Sequence, residues 1–150
     1  MISPREFWTP ILTHPDVEPM VLAGMGTVDD FLWWIDQPGV HEERYEGGGL
    51  VYVDKEDAQE VHVAFLPSAW GRSVAMSFRE IFSRKMKDIR VVIANEQEGM
   101  WRTRPPLSHG WVAVEEFKDS VLPRRTRKWI LTQDAWYRSP VGRKCNELHH

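Results

Sequence analysis

The chain has 150 residues, of which 42% are hydrophobic and 27% charged, and carries a net charge of −3. Those totals fit one soluble domain with a single core and exclude a disordered chain, while no apolar run nears the roughly 20 residues that span a bilayer. Charge is unevenly placed: residues 1–70 hold 3 basic and 13 acidic side chains, residues 118–150 hold 8 basic and 3 acidic, and the single cysteine, Cys145, excludes a disulfide framework.

In chain order, Ser3-Pro4-Arg5-Glu6 reads as a helix start, with serine at the N-cap, proline first in the helix and glutamate closing a capping box. Phe7, Trp8, Ile11 and Leu12 follow at helical spacing, and His14-Pro15 ends the segment. The opening MISPREFW lacks the charged and apolar regions of a signal peptide, so a cytoplasmic location is expected. Thr27-Val28-Asp29-Asp30 starts a second helix through FLWWID, stopped at Gln37-Pro38-Gly39. HEERYE then reads as a polar edge strand, the glycines at 47–49 as a turn or bulge, 50–53 as an apolar strand and 60–66 as another. In the last of these Val61, Val63 and Phe65 face one way, with His62, Ala64 and Leu66 opposite.

Residues 67–70 form a loop ending in Gly71, and 71–86 form an amphipathic helix with Val74, Ala75, Phe78, Ile81 and Phe82 on its buried stripe. A strand over 89–94, a short helix over 96–102, a break at TRPPLS, and strands over 111–117 and 128–137 complete the pattern. The tail from 141 to 150 is polar and expected to fray, leaving 1–140 as one domain. The order α-α-β-β-β-α-β-α-β-β describes an α/β fold with a mixed sheet, and no G-x-G-x-x-G follows a first strand, which excludes a dinucleotide-binding fold.

The strand at 60–66, the loop Ser68–Ser73 with its central Gly71, the helix after it, Asn95 and the pair Gly110-Trp111 together resemble the GNAT acyltransferase superfamily over roughly residues 45–137. That resemblance implies a GNAT-like mixed, mostly antiparallel central sheet flanked by helices. It also implies N-acetyl transfer from acetyl-CoA to an amine in a direct ternary complex. Backbone N–H groups and the positive helix end would hold the pyrophosphate. The cofactor residues so implied are Phe65, Leu66, Trp70, Gly71, Arg72, Ser73, Val74 and Asn95. The chain departs from the family's Gln/Arg-x-x-Gly-x-Gly/Ala loop, with Ser68 and Ser73 at the outer positions, and its 96–102 segment lacks the tyrosine that protonates the departing thiolate in many members. The W-G-R loop is similar to that of GNAT-like proteins of tailed bacteriophages. A catalytically silent, virion-associated interaction module with a phage or host protein partner is therefore the alternative reading.

A base must take a proton from the attacking ammonium. His62 and Glu60 are the candidates on the strand, with Glu115 and Glu116 near the acceptor cleft that the resemblance implies, although a lone strand histidine is more often a packed, hydrogen-bonded residue. Asn95 suits either a pantetheine contact or a helix N-cap. The scattered histidines lack metal-ligand spacing, so no metal is expected. The basic run at Arg124, Arg125, Arg127 and Lys128 reads first as a hairpin loop, and only secondarily as a nucleic-acid contact or an approach to the 3′-phosphate of coenzyme A. Eight tryptophans supply core, and Trp70, beside Gly71, is the one expected to face a partner; a tryptophan-rich surface would favour self-association.

Overall fold

Ser3 caps the first helix with its Oγ accepting the Glu6 N–H at 3.1 Å, and Pro4 begins α1 (Pro4–Leu12), whose Trp8, Ile11 and Leu12 are buried. A full capping box between Thr27 and Asp30 opens α3 (Val28–Ile35). Between them lies α2 (Glu18–Val21), a single turn with no side-chain cap, started by Glu18-Pro19. In this computed structural model, residues 2–22, 26–89, 91–99, 104–117 and 125–148 are described. Arg124, Trp101 and the terminal His149-His150 fall outside them.

Strands β1 (Val40–Tyr45), β2 (Gly48–Asp54), β3 (Gln59–Phe65), β4 (Val91–Gln97), β5 (Val112–Ala113) and β6 (Thr126–Thr132) form one sheet in the order β1-β2-β3-β4-β6-β5. All pairings are antiparallel except β3 with β4. The expected mixed, mostly antiparallel sheet between helices is what the chain forms.

Alternation along the strands divides the core in two. Leu50, Tyr52, Val61, Phe65, Val92, Ala94, Trp129 and Leu131 pack against α4 (Arg72–Lys85), whose Val74, Phe78, Ile81 and Phe82 are buried. Ser77 is buried there too, its Oγ donating to the Val74 carbonyl, while the expected Ala75 is only half-buried. Val51 and Ala64, on the opposite face, pack against Trp8, Ile11, Leu12 and Phe31 of α1 and α3. The facing of β3 matches its sequence alternation.

Four expectations are corrected. Residues 96–97 continue β4 and 98–99 turn, so no helix starts at 96. Seven register pairs with β6 hold this stretch extended, and buried Glu96 accepts the Trp129 Nε1–H at 3.0 Å, with Arg127 at 3.8 Å. Cross-strand pairing thus overrides the helical preference of Glu and Gln. The strand expected over 128–137 stops at Thr132, whose Oγ1 caps Ala135 N–H at 3.1 Å to open α5 (Gln133–Arg138). The polar tail does not fray at 141: α6 (Pro140–Leu148) carries Val141 and buried Cys145 into the α4-side core. The strand expected over 111–117 is only the two residues of β5. No helix among the described residues is long and apolar enough to cross a membrane.

Candidate functional site

β3 and β4 are register partners only through Gln59–Val61 and Val92–Ala94. Each is fully committed on its other side, β3 to β2 over seven residues and β4 to β6 over seven. The sheet is therefore two antiparallel halves joined by a short parallel seam, and beyond Val61 and Ala94 the two strands no longer pair. The Leu66 N–H donates to the Gly47 carbonyl at 2.8 Å, so in the pleat the even residues of β3 bond toward β2. Val63 and Phe65 consequently turn their backbone groups toward the open side of the seam.

At the end of β3, residues 67–69 make a 3-10 turn, Trp70 is extended, and Gly71 takes φ +87° and ψ −97° before α4 begins. Only glycine adopts that conformation without strain. A Cβ built on Gly71 would meet nothing within 4 Å, so the turn faces open space. No side chain caps this helix. Its first intrahelical bond runs from Ala75 N–H to the Gly71 carbonyl, and the N–H groups of Arg72, Ser73 and Val74 find no acceptor among the described residues. Arg72 is exposed in this first turn and Ser73 half-buried.

Trp70 does not face outward as expected. It is half-buried, packs against both cores, and donates Nε1–H to the Phe65 carbonyl at 2.9 Å. That bond pins the loop to the end of β3 and satisfies one of the groups turned toward the seam. Leu66 likewise has its N–H engaged, leaving the Phe65 N–H and both backbone groups of Val63 as the strand's open positions.

Glu60 and His62 project from the sheet face that carries α1–α3, just where the seam ends. Glu60 Oε1 lies 2.6 Å from His62 Nε2, which fixes the tautomer with Nε2 as donor and Nδ1 as the lone-pair nitrogen. This hydrogen bond holds the Glu60 carboxyl below the usual carboxylate range despite partial burial, assisted by the charges of His62, Lys55 and Lys128. Trp34 of α3 meets the imidazole edge-on, with centroids 5.2 Å apart, and forms a wall beside it. The arrangement is a carboxylate-oriented imidazole, whose Nδ1 is chemically able to accept a proton.

Asn95 is not a helix cap. It sits within β4, exposed, opposite Lys128 of β6 and on the same face as Glu60 and His62. Sequence reading missed Trp34 and Lys128 as neighbours of the dyad, because only the α3 packing and the β4–β6 register bring them there. Gly110 serves the fold: it is left-handed at φ +98°, and a Cβ would press on the Ala135 carbonyl at 2.5 Å. Trp111 beside it is core. Of the basic run, Arg125 pairs with Glu98 at 2.8 Å and Arg127 lies over the Phe117 ring. Among the described residues no group of three or more His, Cys, Asp or Glu is placed to hold a metal.

A mixed six-stranded sheet with a parallel seam that ends where a glycine turn feeds an uncapped helix has the arrangement of a GNAT-like fold. Among solved structures, the chain is similar to FeeM, an N-acyl amino acid synthase from uncultured soil microbes, with a TM-score of 0.64 at 12% identity over 96% of this chain and 94% of that one. Two chimeras of the Vibrio cholerae spermidine N-acetyltransferase SpeG and hSSAT align with TM-scores of 0.49 at 10% and 11% identity, over 72% and 75% of this chain and 74% and 80% of theirs. At these identities the likeness is one of fold. No family model and no curated protein matches the sequence.

Proposed function

We propose that the chain is an acyl-CoA-dependent N-acyltransferase that moves an acetyl or related acyl group to a primary amine. The observation that carries this reading is the coincidence of the opened β3–β4 seam with the open Gly71 turn and the unpaired N–H groups of α4. These features fit coenzyme A. The N–H groups of Arg72, Ser73 and Val74, with the Arg72 guanidinium, suit its pyrophosphate. The backbone groups of Val63 and Phe65 suit the amides of its pantetheine arm. The Ser73 side chain replaces the family's small residue, and the Trp70 bond to the Phe65 carbonyl takes one strand acceptor; neither fills the turn.

When bound, the coenzyme supplies an activated thioester: the amine forms a C–N bond to the acyl carbon, the C–S bond breaks, and the sulfur leaves with the electron pair. His62 Nδ1 takes the proton that the amine must shed, directly or through water. Ionised Glu60 holds the ring in the tautomer that leaves Nδ1 free and stabilises the imidazolium once formed. Trp34 limits water on one side of the ring.

Calorimetric titration of the purified chain with acetyl-CoA and with free coenzyme A tests the reading, repeated on Gly71→Trp with circular dichroism as the fold control. Micromolar binding that the variant loses is the expected result. Absence of heat at millimolar ligand from a folded protein would sink the proposal. The silent module, bound to a phage or host protein, would then take its place.

A further inference from the structure

Among the described residues, the apolar core under α1–α3 lies on the β1–β3 half of their sheet face: it takes Val40, Val51, Ala64 and Leu66 from that half and no apolar side chain from β4, β5 or β6. β4 reaches these helices through Gln97, whose Nε2–H donates to the Met20 carbonyl at 2.9 Å. On the other half the register places five aliphatic side chains together: half-buried Val91 and Ile93 of β4, half-buried Ile130 of β6, and Val112 with Val114 on and just after β5. None belongs to either core. Val112 is 57% exposed and Val114 47%, although both stand on a strand edge where polar residues ordinarily protect the surface.

This floor is continuous with the dyad. Ile93 is the register partner of Glu60, and Ile130 is the partner of both Ile93 and Val112. Among the described residues, the polar groups that the strand pairing places at its dyad end are Glu60, His62, Asn95 and Lys128, with Lys55 acting on Glu60 from the side. Glu60 is the one carboxylate of this set; Glu115 and Glu116 follow Val114 at the far edge, where Glu116 lies 3.9 Å from Arg127.

Resting on the acyl-transfer reading, we propose that this face is the acceptor site and that it takes a primary amine on an aliphatic body with no second positive charge. The amine approaches the Nδ1 edge of His62, with Glu60 holding the ring from the Nε2 side, gives its proton to His62 Nδ1, and forms the C–N bond as the thioester C–S bond breaks. The aliphatic body lies over Ile93, Ile130, Val112 and Val114. A diamine lying on the same floor would set its second charge on aliphatics or beside Lys128, at a desolvation cost that a monoamine does not carry.

The test compares n-alkylamines from ethylamine to hexylamine with the matching α,ω-diamines, following thiol release from acetyl-CoA. Expected are a rise in kcat/KM of roughly threefold per methylene, diamines about tenfold or more below their monoamines because the second charge meets aliphatics and Lys128, and a flattened series in the Val112→Ser, Val114→Ser double variant with unchanged affinity for acetyl-CoA. Turnover that ignores length, prefers diamines or survives the double variant unaltered would overturn this inference and leave the acyl-transfer reading standing. Hexylamine added without acyl donor should also shift the backbone amide resonances of Val112, Val114 and Ile130. Those shifts in a protein that binds no coenzyme A would defeat the acyl-transfer reading alone, and their absence would defeat the acceptor face. A concentration-dependent dimer abolished by Val114→Glu would overturn the proposal by making a second copy the occupant.

Discussion

Ser73→Asp separates a phosphate cradle from a simple corner, because the two roles respond with opposite signs. The substitution places a carboxylate in the first turn of α4, a helix with no side-chain cap and unpaired N–H groups at 72–74. Negative charge there interacts favourably with the helix dipole by about 0.3 to 1 kcal/mol. For a domain of this size that raises Tm by about 1 to 4 °C. A pyrophosphate held by the same N–H groups would instead meet a like charge a few ångströms away. Between the limits of water and a partly screened surface, that repulsion costs about 1 to 3 kcal/mol, a rise in Kd of about five- to 150-fold.

The assay is thermal unfolding beside calorimetric titration with acetyl-CoA, for Ser73→Asp and for uncharged Ser73→Asn. A higher Tm with weakened binding, and near-normal binding in the asparagine variant, is the expected pattern. A raised Tm with unchanged affinity would refute the reasoning, since the phosphates would then bind elsewhere.

His62→Gln should lower kcat about 10²- to 10⁴-fold with little change in acetyl-CoA affinity, and Glu60→Gln should cost less, because Glu60 orients the ring and stabilises the imidazolium but does not itself take the proton; stopped assays beside calorimetry measure both. Burial and the Arg79 charge push buried His109 down to about 4. The unfolded chain therefore binds this proton first, and stability is lost as pH falls from about 6.5 toward 4, by up to about 2 kcal/mol once screening is allowed for. Urea unfolding across that window should show the slope, and His109→Leu should flatten it. Glu96→Ala strips the acceptor from buried Trp129 and the nearest carboxylate from Arg127, so a loss of about 2 to 4 kcal/mol is expected in the same measurement. Gly110→Ala combines a left-handed φ with a backbone clash and should cost about 2 kcal/mol or more in stability.

The parts of the fold legible in the sequence are those fixed by local chemistry. Ser3 and Thr27 announce their helices through their own side chains, and the alternation in β3 assigns its two faces because each residue's burial follows its parity. The parts read wrongly are those where a distant partner decides. Residues 96–97 have helix-forming side chains yet stay extended because β6 binds them, and Cys145 looks like a tail residue until α6 packs it beneath α4. Thr132 carried a usable signal, an N-cap threonine two residues before Asp134, but the apolar run ahead of it suggested a longer strand.

The site divides along the same line. Gly71, Arg72 and Ser73 are neighbours in sequence, so their loop can be found by inspection, and Glu60 with His62 lie two residues apart on one strand, so their shared face can be too. What makes them a site is the seam, which no local pattern encodes. β3 is held along its length by β2 and β4 along its length by β6, while only three residues of each hold the halves together. Sheet twist accumulates in each half separately, and the three-residue join cannot keep the strands parallel beyond Val61 and Ala94. The strand ends diverge because their outer partners are the stronger claim. The unpaired backbone of Val63 and Phe65 is thus a consequence of pairing elsewhere, and a ligand with amide groups along an extended arm is the chemistry that would complete the ladder the protein leaves open.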